Sequence, residues 1–171
     1  MIRSLSAEEA LAQVEGLAEV LLDAVAGGAS VSFMADITRE DAVAWFRSIA
    51  AEVAAGRRLL FAAGEAAGEI DGTAQLILET PPNQPHRAEL AKMLVHRRAR
   101  RRGVGSAIFE AVCAAARRRG RTLLTFDTIS GAEGEKLYLS CGSVKVGEIP
   151  GYALMPDGRP APTSVLYKIL V

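Results

Sequence analysis

Cysteine and histidine are almost missing from this chain, with two of each in 171 residues. Cys113 and Cys141 are too few and too far apart for a disulfide framework or a zinc ribbon, and the histidines do not complete a ligand set, so no metal site is expected. Aromatic residues make up 5% of the chain, and none stands among the arginines, where a nucleic-acid surface would use them as stacking partners. Charge of one sign is also lacking: twenty Lys and Arg balance twenty Asp and Glu, which leaves no field to draw a polyanion. No apolar run approaches the roughly 18 residues of a membrane span, and MIRSLSAEEA lacks the basic-then-apolar order of a signal peptide. The expectation is a cytoplasmic protein without a membrane or nucleic-acid partner.

The chain is half hydrophobic and has the length of one domain, so a single unit over residues 1–171 is expected. Ser6 and Glu9 have capping-box spacing, and Leu11, Val14, Leu17, Leu21 and Val25 keep a helical period up to Gly27. Thr38 caps a second predicted helix, which Gly56 stops. LLFAAGE and TAQLILET then read as a hairpin about AAGEIDG, and RAELAKMLV as a further strand. GVGSAIFEAVCAAARRRG is a predicted helix in which Cys113, among Ala and Val, reads as an inert buried thiol. The strand RTLLTFD and a short helix in TISGAEGEKLYLSCG follow. VKVGEI and TSVLYKIL close the chain around a long loop, PGYALMPDGRPAP.

Nine of the sixteen arginines lie between Arg97 and Arg121, five of them in HRRARRRGVGS. His86 and His96 read as exposed loop residues. Gly103 and Gly105 sit where a loop becomes a helix, so amides without intrahelical partners converge there and favour an anion. A P-loop is excluded, because Ser106 and Ala107 follow Gly105 where Lys and Ser or Thr are required. A dinucleotide fold is disfavoured, because Ile108 stands where Gly or Ala belongs and no second βαβ unit follows. The plain alternative is a solvated approach to a helix.

Arg100, Gly103 and Gly105 fill the form Gln/Arg-x-x-Gly-x-Gly/Ala, and with the order of elements around them the sequence resembles the GCN5-related N-acetyltransferase (GNAT) superfamily. Within it, GGASVSFMAD, RAELAKMLV, LLTFDT and VGEIPGYALMPDGRPAPT resemble the tabtoxin-resistance branch. The resemblance implies an α/β (α+β) fold: a mixed, mostly antiparallel sheet of six or seven strands, flanked by helices, with a β-loop-α-β core that binds acetyl-CoA. It implies that the strand bearing Met93, Leu94 and Val95 splays and offers its backbone to pantetheine. The diphosphate would lie on Arg100, Arg101, Arg102, Gly103, Val104, Gly105 and Ser106. Tyr138, four residues before Gly142, would protonate the departing thiolate. Gly134 and Ser143 stand where the superfamily often has Ala and an aromatic.

Acetyl transfer to an amine also needs a base. Strand alternation puts Glu89, Ala91, Met93 and Val95 on one face, so apolar neighbours of Glu89 would raise its pKa; the alternative is a strand-edge carboxylate paired with Arg87 or Lys92. Asp127, at the end of the next strand, is the second carboxylate, as auxiliary base, ammonium holder or cap of the Ser130–Gly131 turn. Ser30, Val31 and Phe33 are candidate acceptor contacts, with Tyr152 closing over the bound molecule. The expected acceptor is a small amine, amino-acid-like or β-lactam by resemblance. A protein or peptide acetyltransferase, a non-catalytic acyl-CoA-binding module and a homodimer are left open.

Overall fold

A computed structural model describes residues 1–65 and 69–170. Strand β1 (Ile2–Leu5) runs into Ser6, whose Oγ accepts the Glu9 N–H at 3.1 Å while Glu9 Oε2 accepts the Ser6 N–H at 2.7 Å. This capping box starts α1 (Ala7–Ala12), and α2 (Val14–Ala26) follows. The single helix predicted here is interrupted at Gln13, where φ is −111° and ψ is 15°. Arg3 donates to Gln13 Oε1 at 2.6 Å and ties the break to β1. The buried positions keep one period across it, so the sequence pattern carries no trace of the interruption. Thr38 and Asp41 form a second capping box, which starts α3 (Arg39–Ala54).

The rest of the chain is β2 (Arg58–Gly64), β3 (Ile70–Ile77), β4 (Arg87–Val95), a 3₁₀ turn (Arg97–Ala99), α4 (Val104–Arg118), β5 (Leu123–Ile129), α5 (Glu133–Ser140), β6 (Val144–Leu154) and β7 (Pro160–Ile169). The strands form one sheet in the order β1-β2-β3-β4-β5-β7-β6, antiparallel throughout except for β4 beside β5. This is the mixed, mostly antiparallel architecture expected. Part of the predicted AAGEIDG turn, residues 66–68, lies outside the described residues, and its last three residues already belong to β3.

Two cores flank the sheet. α1, α2 and α3 bury Leu17, Leu21 and Phe46 against Leu60 and Ala62, while α4 buries Ile108, Phe109 and Val112 against Leu76, Leu90 and Leu124. Cys113 is in the second core, and burial pushes its thiol up to about 11, which suits an inert residue. The predicted long loop is mostly strand. β6 and β7 pair as far as Leu154 with Pro160, after a register shift between Ile149 and Ala153, and only residues 155–159 turn. Pro150 and Gly151 read as loop residues because they occupy that irregularity, on an edge strand where a missing donor is tolerated.

Glu135, which carried no signal in the sequence, fixes α5 to the closing strands. Its buried carboxylate accepts from the Gly131 N–H, from Ser164 Oγ at 3.0 Å and from Lys145 Nζ at 2.8 Å. Lys145 first, then the Gly131 amide, hold its pKa down at about 2. The stability it contributes is therefore complete above the ordinary carboxylate value of 4.5 and lost as pH falls through about 2. Glu135→Ala should destabilise the protein by about 2–3 kcal/mol in urea unfolding at pH 7. That difference should shrink between pH 4.5 and 2; a constant difference would separate the stabilisation from the charge.

Candidate active site

β4 is not regular. Gln75 lies opposite Ala91 and Thr73 opposite Leu94, so Lys92 and Met93 together face Ala74 in a β-bulge, with Lys92 at φ +51°. The extra residue breaks the predicted alternation. Glu89 and Ala91 share a face with Leu94, whereas Met93 and Val95 pack into the second core on the other side of the sheet.

Register places Arg58, Gln75, Glu89, Thr125 and Asp127 on the face that α1–α3 cover only in part. The Glu89 side chain is 45% exposed, and Arg87 Nη1 lies 3.7 Å from its Oε2. The predicted apolar enclosure is absent, and the pairing with Arg87 is present as a long contact. Arg87 is itself held by Gln84 Oε1 at 2.7 Å and Thr125 Oγ1 at 2.9 Å. Asp127 is exposed, and the Ser130–Gly131 turn is served instead by Glu135 and by a Ser130–Ser164 hydroxyl contact of 2.7 Å. Lys92 reaches over this face to Ser32 Oγ, 2.9 Å away. Burial pushes its ammonium below the usual lysine range, with the Asp127 and Glu89 charges opposing that shift.

β4 and β5 pair only from Arg87–Leu123 to Glu89–Thr125 and then part. The Met93–Val95 stretch of β4 has no paired residue in β5, and the Val95 carbonyl accepts from Arg100 Nε at 3.0 Å. Tyr138 stands on the opposite side of this slot from the two carboxylates. Its ring packs on Phe126 at 4.6 Å and Phe109 at 5.3 Å, and its hydroxyl has no hydrogen-bond partner among the described residues. Burial, with the Asp127 charge adding to it, raises its pKa well above the usual tyrosine range and keeps the hydroxyl protonated. Gly134 lets α5 approach β5, since a Cβ there would come within 2.9 Å of Thr128 Oγ1.

At the end of the slot, Gly103 adopts φ +77° as the N-cap of α4, and no side chain caps that end. Val104, Gly105 and Ser106 supply the first helical amides. A Cβ on Gly103 would meet open space, but one on Gly105 would lie 2.7 Å from Leu137 Cδ1. Gly105 is thus needed for the packing of α5 on α4, a constraint that its motif position does not reveal.

The arginine run divides. Arg97 binds buried Asp23 through its backbone N–H, at 2.9 Å, and its guanidinium; Arg98 binds Asp71 at 3.1 Å; Arg100 lies 3.7 Å from Asp23. Burial would raise the Asp23 carboxyl, but the hydrogen bonds from Arg97 hold it below the usual range. His96, expected in solvent, has a side chain only 12% exposed and 3.6 Å from Asp23, whereas His86 is exposed. Arg101, at φ +58°, and Arg102 have no hydrogen bond or ion pair among the described residues. They flank the uncapped helix end and suit an anion there. A cavity of about 630 Å³ beside Gly103 is lined by Arg102, Gly103 and Val104 on one side and by Glu65, Glu69 and Asp71 on the other, the last two within ion-pair distance of Arg98.

Over the carboxylate face, the β6–β7 tip is tied to the loop between α2 and α3. Ser30 Oγ donates to the Leu154 carbonyl at 2.7 Å, and the Ala35 N–H to that of Pro156 at 3.1 Å. Val31 and Phe33 anchor the same loop to the first core, Phe33 packing edge-on to Trp45 at 5.3 Å. Tyr152 is exposed on β6. Ser30, Val31 and Phe33 thus belong to the loop that carries Ser32, and Lys92, not singled out in the sequence as a site residue, meets that loop through Ser32.

No cluster of three His, Cys, Asp or Glu side chains among the described residues could hold a metal ion, and no helix among them is long and apolar enough to cross a membrane.

A slot in a split sheet, with carboxylates on one side, a tyrosine on the other and an uncapped helix at its end, defines an acyl-transfer scaffold. The acetyltransferase (GNAT) family model matches residues 30–142. The chain belongs to that family and is an acetyl-CoA-dependent N-acetyltransferase. An N-acetyltransferase from Staphylococcus aureus Mu50 superposes with a TM-score of 0.81 at 18% identity, over 100% of this chain and 98% of the other. The protein yncA from Salmonella typhimurium, solved with its cofactor acetyl-CoA, gives 0.80 at 19%, over 100% and 94%. A ribosomal-protein-alanine N-acetyltransferase from Brucella melitensis gives 0.80 at 21%, over 99% of each chain. At these identities the likeness is one of fold.

Proposed function

We propose that this enzyme acetylates the amine of a small molecule, amino-acid-like or β-lactam, with Glu89 as base and Tyr138 as acid. The arrangement that carries the reading is the slot between β4 and β5, which separates Glu89 and Asp127 on one side from Tyr138 on the other. Acetyl-CoA supplies the activated acyl group. Its diphosphate would meet the amides of Val104, Gly105 and Ser106, with Arg101 and Arg102 adding charge. Backbone groups of Met93, Leu94 and Val95 would align the pantetheine arm. Glu89 accepts the proton of the acceptor amine, Asp127 steadies its ammonium before that step, and Tyr138 protonates the departing thiolate. Arg100, turned towards Val95 and Asp23, holds the turn in place for this purpose.

The Ser30–Leu154 and Ala35–Pro156 bonds fix the β6–β7 tip to the loop whose Ser32 meets Lys92, and a loop held in this way favours a small acceptor over an extended chain. The β-lactam or amino-acid class rests on resemblance to the tabtoxin-resistance branch. Acetyl-CoA consumption should be screened with amino acids, β-lactams, aminoglycosides and peptides. Turnover is expected with a compact amine. Turnover with peptides alone would replace the small acceptor by a protein, and acetyl-CoA binding without any turnover would indicate a non-catalytic module.

A further inference from the structure

Resting on the small-acceptor reading, we propose that Lys92 is the specificity residue of the acceptor side. Its ammonium binds an anionic oxygen group, such as a carboxylate, that the acceptor carries beside the amine to be acetylated.

Three cations occupy the carboxylate face. Arg87 is committed to Gln84, Thr125 and Glu89, whereas Arg58 donates to Gln75 Oε1 and has no carboxylate within ion-pair distance and no partner for its buried Nε among the described residues. Lys92 has a single partner, the Ser32 hydroxyl, and no carboxylate within ion-pair distance among the described residues. A partly buried ammonium without a counter-ion is unfavourable, and an acceptor anion would relieve it. Ser32 Oγ accepts from Lys92 and keeps its own proton to donate, so the two groups together offer a charged and a neutral donor to one anion. Glu89 and Asp127, on the same face, suit the ammonium end of the same molecule. The arrangement of charges therefore matches a zwitterion.

The backbone supports this assignment. Ser32 has φ +73° and Lys92 +51°, and with Arg101 they are the non-glycine residues of positive φ among those described. Two of these three strained residues are the partners of one hydrogen bond, which joins β4 to the loop between α2 and α3. Such conformations persist where the surroundings over-determine them, and they gather at ligand sites. The bulge supplies the means, since it releases Lys92 from the alternation that buries its neighbours.

The test compares matched acceptors, an amino acid against its carboxamide and its decarboxylated amine, with rates referred to the unprotonated amine. The wild type should favour the acid member by about 10-fold or more in kcat/KM. Lys92→Met should bring that ratio close to one by raising KM for the acid member about 10- to 100-fold, and Lys92→Arg should restore most of it. Acetyl-CoA binding by each variant verifies that it is folded. A wild type indifferent to the acid group, or a Lys92→Met enzyme that keeps the preference, would overturn the proposal and leave the transferase reading standing. Absence of transfer to every member, by a protein that still binds acetyl-CoA, would remove the small-acceptor reading and this proposal with it.

Discussion

Glu89→Gln should slow acetyl transfer by about 10²- to 10⁴-fold, the span for loss of a general base, with the Kd for acetyl-CoA held within about twofold. The substitution keeps shape and removes only proton affinity. The side chain is 45% exposed and its contact with Arg87 is 3.7 Å long, so little fold stability depends on its charge. Asp127→Asn should have the smaller effect and act mainly through acceptor KM, because Asp127 is exposed and has no hydrogen-bond or ion-pair partner among the described residues to aim it. Tyr138→Phe removes a hydroxyl without a hydrogen-bond partner among the described residues, and it should slow the thiolate step without disturbing the ring packing on Phe109 and Phe126. Single-turnover rates with each variant would decide the roles. A Glu89→Gln enzyme at full rate would pass the base to Asp127 or to the acceptor's own free amine.

The second large effect is expected at Gly105, where valine should weaken acetyl-CoA binding by at least about 100-fold, or about 2.7 kcal/mol. The cause differs from that at Gly103. A side chain on Gly105 meets Leu137 Cδ1 at 2.7 Å, so the end of Leu137 has to turn away, and a branched side chain also presses on the packing between α4 and α5, which carries Tyr138. Overpacking of this kind costs about 1–3 kcal/mol, so the variant should remain folded but melt lower. At Gly103 there is room for a side chain, but φ +77° excludes a β-branched residue, and Gly103→Val should instead distort the turn that gathers the amides. Gly103→Ala should therefore be milder than Gly103→Val, and Gly105→Ala, which displaces only the end of Leu137, milder than Gly105→Val. Calorimetry with acetyl-CoA, alongside thermal melts, checks both; unchanged affinity in folded valine variants would detach the turn from the cofactor.

Element order was legible because each boundary had a local cause. Ser6 with Glu9, Thr38, Gly56 and the Gly103–Gly105 turn all mark the ends they were read to mark. What the sequence withheld depends on strands meeting at a distance. The bulge at Lys92 is a property of two paired strands, and RAELAKMLV alone reads as uniform alternation. The pairing of β6 through Pro150 and Gly151 is visible only against β7. His96 was read as exposed because its neighbours are arginines, and Asp23, which draws it and Arg97 inward, is 73 and 74 positions away. Glu135 has no signal within its own short helix, since the Lys145 and Ser164 that bind its carboxylate belong to later strands.

The bulge has a consequence for how this scaffold can change. Because Ala91 already faces Gln75 and Leu94 already faces Thr73, removing one residue between them leaves both neighbours in register. Lys92 is in that sense an insertion that the sheet does not need. Positions 92 and 93 also lie just past Glu89–Thr125, where β4 parts from β5, so removing one of them would straighten the strand that borders the cofactor slot. The lysine and the slot are in this way joined at one irregularity. A one-codon deletion at position 92 should therefore alter acetyl-CoA affinity together with acceptor preference.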